Sequence, residues 1–76
     1  MNLPILATGE FCAPCKALKE NIKSLKIQIE YKDSVKDVDF FIENSIRSIP
    51  TLVIDNGEKI TGPDHILDYL KENGIR

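Results

Sequence analysis

Cys12-Ala13-Pro14-Cys15 places two cysteines three residues apart, and the chain has no others. Disulfide exchange needs an accessible thiolate to attack and a second thiol near enough to expel the mixed disulfide that forms. A C-x-x-C at the start of a helix meets both demands. Cys12 falls at the helix entrance, where free N–H groups and the positive end of the dipole favour a thiolate. Cys15 falls in line with Leu18 and Ile22 and so faces inward. The expected roles are Cys12 as nucleophile and Cys15 as resolving thiol.

Two other uses of the pair weigh less. A structural disulfide closing a loop of about four residues gains only roughly 2 kcal/mol from chain entropy, and a cytosol would tend to reduce it. A C-x-x-C is also half of a zinc site. Structural zinc takes four ligands, and the only further candidate of that class is His65, so zinc would need a dimer pooling two cysteine pairs.

The elements around the pair can be read from periodicity. Leu3 to Thr8 is a short apolar run ending at Gly9, which reads as a buried strand. Cys15, Leu18, Ile22 and Leu25 then recur at spacings of three and four, one face of a helix from about Ala13 to Ser24. Pro14 suits its first turn, where a missing N–H is not needed. Ile27 to Tyr31 alternates as a second strand. Ser34 with Asp37 resembles a capping box ahead of a short helix carrying Val35, Val38, Phe41 and Ile42. Asn44 to Ser48 reads as loop and Thr51 to Asp55 as a third strand. Asn56-Gly57 is a hairpin signal, with Glu58 to Thr61 returning as a fourth strand. Gly62-Pro63-Asp64 opens a last helix with Ile66, Leu67 and Leu70 on its inner stripe and Gly74 as its stop.

This order predicts an α/β fold: a mixed four-stranded sheet flanked by three helices, its first strand-helix-strand unit a right-handed parallel crossover. Sites in such sheets form where a strand's C-terminal end meets the next helix, which is where Cys12 to Cys15 lies.

Bulk properties narrow the function classes. At 76 residues the chain is read as one domain, and a net charge of -2 offers no basic stripe for nucleic acid. Apolar residues make up 42% and charged ones 29%, ordinary for a soluble globular domain. The N-terminus lacks the charged region of a secretory signal, and no stretch approaches the roughly 20 apolar residues of a membrane span. A cytoplasmic location is expected.

The sequence resembles the thioredoxin–glutaredoxin superfamily. Phe11-Cys12-Ala13-Pro14-Cys15-Lys16 after the first strand, Ser48-Ile49-Pro50-Thr51-Leu52 before the third, and Thr61-Gly62-Pro63 after the hairpin carry the likeness, which spans essentially the whole chain. It implies a thioredoxin fold. It also implies a cis peptide bond before Pro50, with that proline against the cysteine pair and the Ile49 backbone pairing with an extended substrate. Phe11, Ala13, Pro14 and Gly62 would complete the substrate surface.

The chain also departs from its relatives. Its size is that of a glutaredoxin, whereas Ala13-Pro14 is closer to the Gly-Pro of thioredoxins. Leu6 stands where thioredoxins carry a buried aspartate, and Phe11 where they carry tryptophan. Gly9 replaces the lysine that glutaredoxins use toward glutathione, while Arg47 and Asp64 could hold its ends but read better as surface charges. Lys16 would favour a Cys12 thiolate and Glu10 oppose it. A pair poised like thioredoxin would sit around -270 mV.

The function expected is reduction of protein disulfides by dithiol exchange, without metal or organic cofactor. The partners expected are disulfide-containing proteins and a donor, either a thioredoxin-reductase-type enzyme or glutathione. No nucleic-acid or membrane partner is expected, and the chain should act as a monomer. The alternatives are a glutathione-dependent glutaredoxin and a binding module that keeps the fold without using its cysteines.

Overall fold

A computed structural model describes residues 3–54 and 57–74. The elements run β1 (Ile5–Thr8), α1 (Ala13–Leu25), β2 (Glu30–Asp33), α2 (Val38–Glu43), β3 (Thr51–Val53), β4 (Lys59–Thr61) and α3 (Pro63–Asn73). The strands form one sheet in the order β2-β1-β3-β4. β1 pairs parallel with β2, Ile5 opposite Glu30 and Thr8 opposite Asp33. It pairs antiparallel with β3, Leu6 opposite Leu52 and Ala7 opposite Thr51. β4 then adds antiparallel to β3. This is the mixed α/β architecture that the periodicity predicts.

The core shows why the chain folds this way. Leu6 and Leu52 meet Leu18 and Ile22 of α1, Ile66 and Leu70 of α3, and Ile27. Each such side chain contributes about 1.5–3 kcal/mol when fully buried. Because Leu6 and Leu52 are register partners, their face of the sheet is the one that α1 and α3 cover. β1 points its C-terminal end at the start of α1. The core thus fixes the strand and helix that flank the cysteine pair.

Several boundaries move. The second strand begins at Glu30, not Ile27, because Ile27 is spent on the helix exit: Lys26 adopts a left-handed conformation (φ 58°) and Ile27 joins the core. The N–H groups of Lys26 and Ile27 return to the carbonyls of Lys23 and Ile22 at 3.1 and 3.3 Å, satisfying the helix end.

The Ser34–Asp37 capping box does not form. Asp33 Oδ1 instead accepts the N–H groups of Val35 (2.8 Å) and Lys36 (3.1 Å), and Asp37 Oδ2 accepts that of Asp33 (2.9 Å). This holds residues 34–37 as a turn and starts α2 at Val38. Phe41 is the helix's buried residue, whereas Val35, Val38 and Ile42 are exposed. β3 ends at Val53, Asp55 and Asn56 of the expected hairpin lie outside the described residues, and β4 begins at Lys59. α3 stops at Gly74 as expected, with the Gly74 N–H on the Leu70 carbonyl at 2.8 Å. Among the described residues no helix is long and apolar enough to cross a membrane.

Candidate functional site

The first turn of α1 carries the cysteine pair. Cys12 is the N-cap residue, in extended conformation (φ -116°, ψ 102°), and Pro14 lies in the first helical turn. The Cys12 sulfur accepts the Cys15 N–H at 3.2 Å, filling the role that Ser or Asp oxygens usually fill at a helix start. That donor and the positive end of the dipole both favour negative charge on the sulfur. No acidic residue lies in this turn to oppose them.

The two sulfurs are unequally placed. They are joined as a disulfide, with Cα atoms 5.2 Å apart. Cys12 is half-buried, whereas Cys15 is fully buried on the face that also buries Leu18 and Ile22. An incoming sulfur therefore meets Cys12 first. Lys16 and Glu10, the two charges flanking the pair, are both exposed.

The other expected site residues fall at the same end of the sheet. The peptide bond between Ile49 and Pro50 is cis. Extending the β1–β3 register by one residue sets Pro50 beside Thr8, the last residue of β1. The Thr51 hydroxyl donates to the Ser48 carbonyl (2.7 Å), bracing this loop. Gly62 is the N-cap of α3 at φ 92°, a left-handed conformation that only glycine adopts readily. Ile49 reaches over Gly9: a methyl group on Gly9 would lie 2.6 Å from its Cδ1 atom. Phe11 is almost fully exposed at 97%, and Ala13 and Pro14 are exposed. Arg47, Asp64 and His65 are all exposed.

Beside Cys12 opens a hollow of about 400 Å³, floored by Gly9 and lined by Lys16, Lys19, Lys36, Glu10 and Asp33. The N–H groups of Lys36 and Val35 hold the Asp33 carboxyl below the usual range, helped by the nearby Lys36 and Lys19 charges. Lys19 also sits 5.6 Å above the Tyr31 ring, whose phenol partial burial pushes up. Among the described residues, no three of His, Cys, Asp and Glu gather where a metal ion could be held.

Two residues here escaped the sequence reading. Asp33, not singled out in the sequence, is the anchor of a turn. Thr8 reads as a strand end, yet it is 2% exposed and its hydroxyl is the one buried side-chain polar atom without a hydrogen-bond partner among the described residues. An unpaired buried hydroxyl costs about 1–3 kcal/mol. The available signal was alternation, which places Thr8 on the same face as Leu6. Leu6 itself, where thioredoxins carry an aspartate, is fully buried in the core.

Comparison with known proteins agrees with the geometry. Residues 1–71 match the family model described as a thioredoxin domain. The thioredoxin-like protein BC3987 is 27% identical over 91% of this chain and 96% of its own, with a TM-score of 0.69. A mutant of that protein gives 26% identity and a TM-score of 0.68, covering 91% and 95% of the two chains. No curated protein matches. A thioredoxin-like domain with paired cysteines at its first helix supports a redox function. By fold, by site and by sequence match, the chain belongs to the thioredoxin-domain family.

Proposed function

We propose that the protein is a thiol–disulfide oxidoreductase that reduces protein disulfides by dithiol exchange. The observation that carries this reading is the unequal burial of the pair: Cys12 half-buried at the helix mouth, Cys15 sealed one turn inside. In the reduced protein the Cys12 thiolate attacks a client disulfide. A Cys12–client bond forms and the client's other sulfur leaves as a thiolate that takes up a proton. Cys15 gives up its proton and attacks Cys12, the Cys12–client bond breaks, and the client leaves reduced. Two electrons pass from protein to client, and an external dithiol or thiol must return them. The Ile49 and Pro50 backbone supports the reading as a shelf for an extended client segment, with Phe11, Ala13, Pro14 and Gly62 around it.

The test is insulin turbidity with dithiothreitol, in which the protein should accelerate precipitation over a blank. Replacement of Cys15 by Ser should trap a client on Cys12, visible as added mass. No acceleration and no adduct would remove the proposal. A second reading, glutathione as the electron donor, is favoured by the hollow beside Cys12, since Lys16, Lys19 and Lys36 suit an anionic thiol. Recycling by glutathione with its reductase, set against recycling by a thioredoxin reductase, separates the two.

A further inference from the structure

Two surfaces flank Cys12 on opposite sides. The sheet order β2-β1-β3-β4 puts the cis-proline loop, which leads into β3, on one side of β1 and the β2 edge on the other. The hollow lies on the β2 side: Lys16 and Lys19 come from α1, Asp33 from the end of β2 and Lys36 from the turn after it. Gly9 floors it, and without a side chain there the floor stays open between Ser34 and Ile49. All three lysine positions are held. The Lys16 N–H donates to the Cys12 carbonyl (3.0 Å), the Lys36 N–H donates to Asp33 Oδ1 (3.1 Å), and the Lys19 ammonium rests over the Tyr31 ring. Three ammonium groups meet two carboxylates, Glu10 and Asp33, and Asp33 Oδ1 is already taken up by the Val35 and Lys36 N–H groups. The hollow is therefore locally positive in a chain whose net charge is -2.

The positive charge runs on past the hollow. Lys16, Lys19 and Lys23 recur at spacings of three and four, the period of one helix face, so their row covers about 10.5 Å of α1. Glu20, the acidic residue of this helix, falls beside Lys16 and Lys23 on the flank away from Lys19 and does not line the hollow. A single small anion would fill the hollow and leave the rest of the row unused. An extended segment carrying several carboxylates uses both. We infer that the hollow and the α1 row take acidic residues next to the client's reactive cysteine, so that clients with an acidic flank on one side of that cysteine are preferred. The client segment crosses Cys12, with its other flank on the Ile49 and Pro50 backbone. This names a substrate class for the exchange reading and rests on it. Exposed ion pairs are individually weak, so the preference comes from several acting together.

The test uses the reduced protein and short peptides whose single cysteine is capped as a 2-thiopyridyl disulfide, a neutral leaving group. The Cys12 thiolate attacks the peptide sulfur and a Cys12–peptide disulfide forms. The departing pyridine thiolate takes up a proton and becomes thiopyridone, whose absorbance gives the rate. Three peptides carry two aspartates before the cysteine, two aspartates after it, or asparagines at all four places, and each rate is taken relative to that with dithiothreitol. One aspartate peptide should react about fivefold faster than the asparagine peptide, the size expected of two exposed ion pairs. In about 1 M salt, where the Debye length is about 3 Å, that ratio should fall close to one. Lys19→Gln with Lys36→Gln should also bring it to about one. Lys59→Gln with Lys71→Gln, which remove the same charge from β4 and the end of α3, should keep it. Should the first pair of substitutions fail to fold, the salt dependence of the unsubstituted protein decides. A ratio near one at low salt, equal gains with aspartates on either side, or an equal loss in the Lys59 and Lys71 variant overturns the inference. Aspartate peptides without advantage alongside rapid reduction of oxidised glutathione would assign the hollow to a small anion, again overturning it. If all peptides react equally while insulin is still reduced, this inference alone fails; no release from any peptide and no insulin reduction overturn the proposed function with it.

Discussion

The Gly62 N–H donates to the Pro50 carbonyl across 3.3 Å, tying the start of α3 to the cis-proline loop. The bond exists because the backbone at Gly62 turns through φ 92°. Gly62→Ala should therefore lower stability by about 1–3 kcal/mol, the usual cost of forcing a side chain into that region. Urea denaturation of the oxidised protein gives the midpoint. An unchanged midpoint would mean that the turn relaxes freely.

Gly9 governs the opposite side of the same loop. The added methyl of Gly9→Ala would approach Ile49 Cδ1 to 2.6 Å and Ser34 Oγ to 3.2 Å, so Ile49 must move. Reduction of insulin should fall several-fold, while the first reaction of Cys12 with Ellman's disulfide stays near normal. Equal losses in both assays would place the damage at Cys12 itself.

Burial separates two apolar positions that look alike in the sequence. Leu6 is fully buried, whereas Ile42 is 70% exposed. Leu6→Ala should cost about 2–5 kcal/mol, and Ile42→Ala should stay within about 0.5 kcal/mol. Denaturant midpoints of the two variants measure the contrast.

Asp33 predicts a pH dependence. Its carboxyl is held below the ordinary aspartate value, chiefly by the Lys36 and Val35 N–H groups. A depressed folded value means that the ionised group stabilises the fold above the unfolded pKa, near about 3.9. That contribution fades as pH falls through the folded value. NMR titration should find the Asp33 midpoint below the ordinary aspartate value, and Asp33→Asn should flatten the acid limb of the stability curve. An ordinary midpoint would contradict the turn.

Much of the fold was legible because its core is written in simple periods. Cys15, Leu18 and Ile22 at helical spacing, with apolar β1 and β3, fix which faces meet, and Asn44 to Ser48 had no period to mislead. The second strand slipped because Ile27 and Ile29 alternate like a strand while packing as a helix exit. The sequence pattern groups Val35, Val38, Phe41 and Ile42 in one short helix, but α2 begins at Val38 and, of its residues, only Phe41 is buried. At the site, the unequal burial of Cys12 and Cys15 followed from spacing. The Thr8 hydroxyl did not, because a missing hydrogen-bond partner is visible only in three dimensions. Likewise, the two N–H bonds to Asp33 belong to a local turn that competes with capping at Ser34.

The disulfide joins the N-cap of α1 to its first turn, apart from the core cluster that holds Leu6, Leu52, Ile66 and Leu70. Folding and redox state therefore form a closed thermodynamic cycle. Whatever free energy the bond adds to the melting of the oxidised chain equals the bias that folding places on its formation. Two denaturation curves, one with the bond closed and one with it open, would thus weigh the folded chain's readiness to give up its electrons without any redox electrode.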